Sequence, residues 1–234
     1  MKLTFLGKSI TAMVAAVGLY AVAGAQSDKL ADHLTALKRS MAQSKQQLKQ
    51  YQWTQTTTFF HDGDEISQKQ YSARYGQDGT IQKTLISATP EKKEHFLKNH
   101  IVDKKKKEIE EYMDRAEALI KLDVPPSQER LQSAKDAGNA SIKVIDPGQR
   151  VRVTFRNYEL PGDTLAIDVN PTTNRILGGT VNTYVDKPDD TVDLSMQFGS
   201  LPDGTMHPSV VDLSTKKHIV TIKTTNSNYR KITS

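Results

Sequence analysis

The sequence predicts an α+β fold: a strongly curved antiparallel sheet, an unclosed β half-barrel of about ten strands, with about three helices covering its concave face. Many segments rich in β-branched and aromatic residues alternate with turn residues such as Pro-Gly and Asp-Gly. Two of the segments alternate cleanly between apolar and polar residues, so the sheet has one apolar face and one wet face. The amphipathic helices would then cover the apolar face.

The N-terminus has the organisation of a secretory signal. Lys2 and Lys8 precede an apolar run over 10–22, which ends in Ala23-Gly24-Ala25, an Ala-x-Ala cleavage site. The run is shorter than the roughly 20 residues that a membrane-spanning helix needs. We therefore expect a mature chain that begins at Gln26, with an uncleaved N-terminal anchor as the alternative.

Composition limits the classes of function. The 209 residues of the mature chain suit a single domain over 26–234, with a helical insertion at about 91–138. The formal charge of +5 includes Lys2 and Lys8, so the mature chain carries +3, which does not point to nucleic acid. The absence of cysteine excludes disulfides, thiolate metal sites, a cysteine nucleophile and an acylated N-terminal cysteine. We expect a bacterial periplasmic or secreted monomer without a transmembrane segment after cleavage.

A helix followed by three strands is predicted at the start of the mature chain. Apolar residues repeat with a helical period over 27–50, at Leu30, Leu34, Leu37, Met41 and Leu48. The period changes to two in the strand predicted over 51–60. Asp62-Gly63 suits the positive φ of a tight hairpin, and strands over 66–75 and 80–87 complete an antiparallel meander.

Two further helices follow this meander. Residues 91–122 form a long, highly charged amphipathic pattern that ends at Val124-Pro125-Pro126. Ser127 is a suitable N-cap for a short helix, and Gly138 suits the end of that helix.

The remainder of the chain is predicted to be β-structure. Seven strands are expected, over 141–145, 151–158, 164–169, 175–185, 191–198, 207–213 and 218–225. Gly178-Gly179 lies within one of these strand patterns, where a bulge or bend is the ordinary explanation.

Motifs that would indicate catalysis or a metal are absent from the sequence. The six histidines form no H-E-x-x-H motif, and there is no Gly-x-Ser-x-Gly elbow or glycine-rich phosphate loop. The run from His61 to Glu65 contains metal-compatible side chains, but a polar hairpin turn explains it more simply. Asp189 and Asp190 are interpreted as a solvated loop. We expect no enzyme, metal or cofactor, although a triad assembled in space stays open as an alternative.

One run of like charge is present, from Lys104 to Lys107. It could contact anionic lipid or nucleic acid, but a solvated helix face with i, i+4 pairs to Glu108 and Glu111 is the simpler interpretation.

The order of parts resembles the LolA/LolB-like superfamily of periplasmic lipoprotein carriers. The local likeness lies in the leucine-striped helix that leads into Tyr51–Thr56, in the Leu201–Thr205 turn and in the terminal 226–230 segment. The resemblance implies a half-barrel whose concave face accepts acyl chains. The long charged helix departs from this pattern, and no residue matches the lid-fastening arginine of the family.

We therefore expect a carrier for a lipid or an acylated protein. The residues expected to line its cavity are Tyr51, Trp53, Phe59, Val153, Phe155, Leu165, Ile167, Leu194 and Met196. The alternative is an envelope protein-interaction or sensing module that uses the open edge strands of the same fold.

Overall fold

A computed structural model describes residues 41–89, 101–124 and 126–232, with the backbone alone for 101–104 and 128. The predicted signal, the leucine stripe before Met41 and the predicted helical residues 91–100 lie outside the described residues. Residues 41–48 are helical (α1), and two helices follow, α2 (Ile101–Asp123) and α3 (Gln128–Asp136). The ten strands are β1 (Tyr51–His61), β2 (Asp64–Tyr75), β3 (Ile81–Ala88), β4 (Ala140–Asp146), β5 (Arg150–Arg156), β6 (Thr164–Asn170), β7 (Arg175–Tyr184), β8 (Thr191–Ser200), β9 (Met206–Thr215) and β10 (Val220–Lys231).

All ten strands form one antiparallel sheet. Their order is β3-β2-β1-β10-β9-β8-β7-β6-β5-β4, and in the described part of the chain β3 and β4 are edge strands that do not pair with each other. The pairing of β1 with β10 joins the first meander to the second run of strands. The predicted α+β fold with an open sheet of about ten strands is thus confirmed.

Local sequence signals explain the boundaries. Asp62 and Gly63 have φ values of 54° and 83°, the conformation of the tight hairpin turn predicted between β1 and β2. Ser127 caps α3, and its hydroxyl accepts a hydrogen bond from the Arg130 backbone N–H at 3.2 Å. Gly138 has a φ of 73°, which lets the chain leave α3.

The helices pack against the concave face of the sheet. Tyr112, Met113 and Ala116 of α2 and Leu131 of α3 are fully buried in the main core. From the sheet, the main core receives apolar residues at alternate positions, including Phe59, Val153, Phe155, Val181, Leu194, Leu213 and Ile222. The intervening residues of β8, Asp193, Ser195 and Gln197, are exposed on the convex face.

A second, smaller core lies at one end of β1. Leu48 of α1 packs there with Trp53, Ala73 and Tyr75, and Leu201 and Tyr229 are partly buried against them. The sheet therefore buries two separate apolar clusters on its concave side.

Candidate functional site

An apolar row crosses the concave face in register. Ile142, Val153, Ile167, Gly179 and Met196 are successive cross-strand partners from β4 to β8. The row begins at the exposed edge strand and ends beneath the helices. Because facing residues of adjacent strands lie close together, the row is one continuous apolar track.

The same row becomes polar beyond β9. Its next members are Thr224 on β10, Thr57 on β1 and Lys69 on β2. Gln55 and Asn226 occupy the adjacent row and are also buried. The apolar part of the concave face therefore extends from β4 to β9.

A cleft lies at the inner end of the apolar track, between the sheet and its cover. Its cavity volume is about 40 Å³, and the empty space between its walls, with the open mouth included, is about 390 Å³. A cavity of this size holds only a few water molecules. The lining residues are Met41, Val124, Pro126, Leu165, Ala166, Ile167, Ile176, Gly178, Gly179, Met196 and Phe198.

Two glycines of β7 form part of the floor of the cleft. A Cβ on Gly178 would lie 2.6 Å from the Met196 carbonyl oxygen, so no side chain fits there. A Cβ on Gly179 would lie 3.2 Å from the Ala166 carbonyl oxygen and 3.4 Å from Met196 Cε. The β6–β7 register shifts next to this pair, so the bulge predicted at the glycines is confirmed. A side chain at Gly179 would therefore press on the Ala166 carbonyl and on Met196 at the floor of the cleft.

The cover of the cleft is attached to the sheet by a few hydrogen bonds. On α1, the Ser44 hydroxyl accepts from the Met206 backbone N–H at 3.0 Å, and Gln47 Oε1 accepts from the Thr205 hydroxyl at 2.9 Å. On the linker between α2 and α3, the Ser127 backbone N–H donates to the Tyr158 hydroxyl at 2.7 Å. These contacts hold Met41 and Val124 over the floor.

The structure distributes the nine predicted lining residues among three places. Three of them, Leu165, Ile167 and Met196, line the cleft. Four belong to the main core beside it, namely Phe59, Val153, Phe155 and Leu194. Trp53 lies in the second core, and Tyr51 lies edge-on to Tyr229 at a ring distance of 6.5 Å. The aromatic stripe of β1 is therefore divided between the two cores.

Sequence reasoning missed most of the cover and part of the floor. Met41, Val124 and Pro126 reach the cleft from α1 and the α2–α3 linker, which are far in sequence from the floor strands β6, β7 and β8. Gly178-Gly179 was the available signal, because glycine within a strand pattern also marks a place where the sheet must leave space.

A buried polar network surrounds Trp53, the single tryptophan. Asn226 Oδ1 accepts from Trp53 Nε1 at 3.1 Å and from Gln55 Nε2 at 3.2 Å. Asn226 Nδ2 donates to the Pro208 carbonyl at 3.1 Å, and the Trp53 ring stacks on Tyr229 at 5.5 Å. Burial raises the pKa of Tyr229 well above its ordinary value. The network joins Trp53 and Gln55 of β1 to Asn226 and Tyr229 of β10, and it thereby fixes these two strands to each other.

A second polar cluster fastens α2 to the opposite rim of the sheet. The Tyr112 hydroxyl donates to Asp190 Oδ1 at 2.5 Å, and Asp186 receives Arg115 at 2.5 Å and Lys217 at 3.0 Å. Burial, followed by the hydrogen bond to Asp190, raises the pKa of Tyr112. The interpretation of Asp189 and Asp190 as a solvated loop is wrong for Asp190, which is 4% exposed because α2 covers it.

A third polar group lies where α2 ends, next to the linker that covers the cleft. Asp123 is 1% exposed, and burial, reinforced by the nearby Asp163 carboxylate, raises its pKa to about 7. The Arg130 guanidinium opposes this shift. Asp163 accepts backbone N–H bonds from Tyr158, Glu159 and Leu160 at 2.6–2.9 Å, which order the loop that faces Asp123.

The remaining sequence motifs, namely the histidines and the lysine run, lie in surroundings that account for them as parts of the fold. Among the residues whose placement is described, no three His, Asp or Glu side chains are grouped as metal ligands. His207 Nδ1 lies 3.2 Å from the Pro208 carbonyl oxygen. Among the described residues, His218 Nε2 is buried without a hydrogen bond. Lys107 pairs with Glu111 at 3.6 Å on an exposed helix face, as predicted for the lysine run. No described helix is long and apolar enough to cross a membrane.

Comparison with known proteins gives likenesses to solved structures. No protein-family model and no curated protein matches the sequence. The fold is similar to a DUF1329 family protein from Desulfovibrio piger ATCC 29098, with 10% identity, a TM-score of 0.38, and coverage of 84% of this chain and 92% of that chain. It is also similar to a LolA superfamily protein from Nitrosomonas europaea, with 8% identity, a TM-score of 0.34, and coverage of 84% and 94%. The second of these proteins bears the name of the superfamily that the sequence resembles.

Proposed function

We propose that the protein is an exported carrier that shields the acyl chain of a lipid or acylated protein on its concave face. The observation that supports this is the apolar track from β4 to β8, which ends in the cleft over Gly179. An acyl chain gains about 0.8 kcal/mol for each methylene that it buries. Such a protein needs shape and apolar surface rather than a reactive group.

Binding requires the cover to move. The cavity volume of about 40 Å³ is much smaller than the roughly 300–1,000 Å³ of a typical ligand pocket. The cover contributes Met41, Val124 and Pro126, and it is held by the hydrogen bonds of Ser44, Gln47 and Ser127. Displacement of α1 and the linker would uncover the floor of the cleft and provide room for a chain.

Lipid analysis of the purified protein tests this function. The protein is isolated from bacterial cells without detergent, examined by native mass spectrometry and extracted with organic solvent. We expect bound acyl lipid, together with saturable binding of a fluorescent fatty acid. A consistently empty protein that also fails to bind the fatty acid would refute the proposal. A stoichiometric protein partner without lipid would favour an interaction module instead.

A further inference from the structure

The edge strand β4 carries a group of exposed apolar side chains. Ile142 and Val144 are 41% and 58% exposed, and Ile145, at a register shift in the β4–β5 pairing, is 42% exposed. Ile142 is also the first residue of the apolar track that leads to the cleft. An exposed apolar group of this kind, continuous with a binding surface, is typical of an interaction site.

The cations of the hairpin lie on the face opposite Ile142 and Val144, because Lys143 pairs with Arg152 whereas Ile142 pairs with Val153. Lys143, Arg150 and Arg156 are exposed on the β4–β5 hairpin, and within the described chain none of the three pairs with a carboxylate. A fourth cation, Arg152, is neutralised by Asp168, with Nε–Oδ1 and Nη2–Oδ2 distances of 2.7 and 2.9 Å. Asp146 is the only acidic residue of the hairpin sequence, so the hairpin carries net positive charge.

We propose that the β4–β5 hairpin docks edge-on at the surface of an anionic lipid bilayer, so that acyl chains pass between the bilayer and the apolar track. This inference rests on the proposed function and names the partner of the same site. Exposed apolar side chains flanked by lysine and arginine are suited to the boundary between headgroups and acyl chains. The cations would bind the anionic headgroups, while Ile142 and Val144 enter the upper acyl region.

The edge is poorly suited to the addition of another strand. The register shift between Val144 and Asp146 interrupts the regular ladder, and Lys143 projects from the edge strand itself. Bulges and edge lysines are features that prevent pairing between sheet edges. The opposite edge strand, β3, exposes Leu85 and Ile86, but its one cation, Lys83, lies 5.9 Å from the Tyr71 ring centroid. Charge therefore distinguishes β4 from β3 as the membrane-facing edge.

Co-flotation with lipid vesicles tests the docking proposal. The mature chain is mixed with vesicles of phosphatidylglycerol and phosphatidylcholine, and with vesicles of phosphatidylcholine alone. We expect binding to the anionic vesicles that weakens as salt is added, because the Debye length shortens. The triple variant K143E/R150E/R156E should bind roughly a hundredfold more weakly, since each cation near an anionic surface contributes about fivefold. Ile142→Ser with Val144→Ser should also reduce binding.

A matched variant controls for net charge. Lys187, Lys216 and Lys223 are exposed on other parts of the sheet and its turns, so K187E/K216E/K223E makes the same charge change away from the hairpin. This control should bind vesicles more tightly than the hairpin variant. Every substituted residue is exposed, so each variant should retain the fold. Thermal unfolding of each variant verifies this.

The outcomes separate this inference from the proposed function. Equal vesicle binding by the hairpin variant and the control, or no binding by the wild type, would overturn the docking proposal. A concentration-dependent dimer that the Ile142→Ser/Val144→Ser variant abolishes, without vesicle binding, would identify the edge as a contact between two copies. Uptake of a fluorescent fatty acid added from solution tests the carrier function alone, and the hairpin variant should retain it.

Discussion

At the scale of single residues, Asn226 and Asp123 show how buried polar groups define the structure around the cleft. Asn226 satisfies two donors from β1 with one oxygen, so it fixes the position of Trp53. In the described part of the chain, Asp123 Oδ2 is buried without a hydrogen bond, and burial favours the protonated form of this carboxyl group near neutral pH. Neither role could be predicted from the sequence, because the partners of each residue are distant in the chain.

Replacement of Asn226 should destabilise the protein. Asn226→Ala leaves the Trp53 indole N–H and the Gln55 amide without their acceptor in a buried site, which costs about 1–3 kcal/mol. Urea unfolding followed by the fluorescence of Trp53 measures the free energy of unfolding. Lys223→Ala, on the exposed face of the same strand, is the control and should change it little. Equal stability of the two variants would contradict the role of the network.

The stability of the protein should depend on the protonation of Asp123. Its pKa is about 7 in the folded state against the ordinary 3.8, so the folded state binds more protons between these values. Stability therefore falls as the pH rises from about 4 to about 7, by a few kcal/mol at most, since each unit of pKa corresponds to about 1.4 kcal/mol. Asp123→Asn should remove this dependence and raise the melting temperature at pH 8.

The control for this prediction is Asp114→Asn on the exposed face of α2. It should keep the pH dependence of the wild type. The melting temperatures of the wild type and Asp123→Asn are compared at pH 5 and pH 8. If the wild type does not lose stability relative to Asp123→Asn over this range, Asp123 is not responsible for the pH dependence.

At the scale of elements, all ten strands and the end of α2 follow from local patterns. Alternation, turn residues and the prolines after Asp123 are local signals, and they located these elements to within about two residues except at the end of β10. That strand was predicted to end at 225 but continues to Lys231. The attachment of α2 to the sheet is different, because Tyr112 and Asp190 are brought together only by packing. In the sequence, only the charge of Asp190 was visible, and this charge led to its interpretation as a solvated residue.

The attachment of α2 should depend on the Tyr112 hydroxyl. Tyr112→Phe removes the hydrogen bond to a buried carboxylate and should lower the free energy of unfolding by about 1–3 kcal/mol. Urea unfolding followed by circular dichroism measures the loss. Tyr184→Phe removes an exposed hydroxyl that bonds to the Pro161 carbonyl at 3.2 Å, and it should have a smaller effect. Equal effects would indicate that the Asp190 contact does not fasten the helix.

At the scale of the whole molecule, the division of the concave face determines what the protein can bind. Sequence alternation identified the apolar side of the sheet, and so three of the cleft residues, Leu165, Ile167 and Met196, were predicted. It could not reveal where the helices leave space, because Met41 and Val124 meet the floor only in the folded chain. Under the proposed function, the apolar track, the cleft and the charged edge strand would let the protein receive its ligand from one side.

The most direct test of this account is the binding of a fluorescent fatty acid by a variant with a filled cleft. Gly179→Val places a side chain on the cleft floor, whereas Thr180→Val changes the neighbouring, exposed residue of the same strand. Titration of both variants, with thermal unfolding to verify their folds, compares their affinities. The account predicts that Thr180→Val binds like the wild type and that Gly179→Val binds at least tenfold more weakly, the loss of about two buried methylenes. Wild-type affinity in a folded Gly179→Val protein would contradict it.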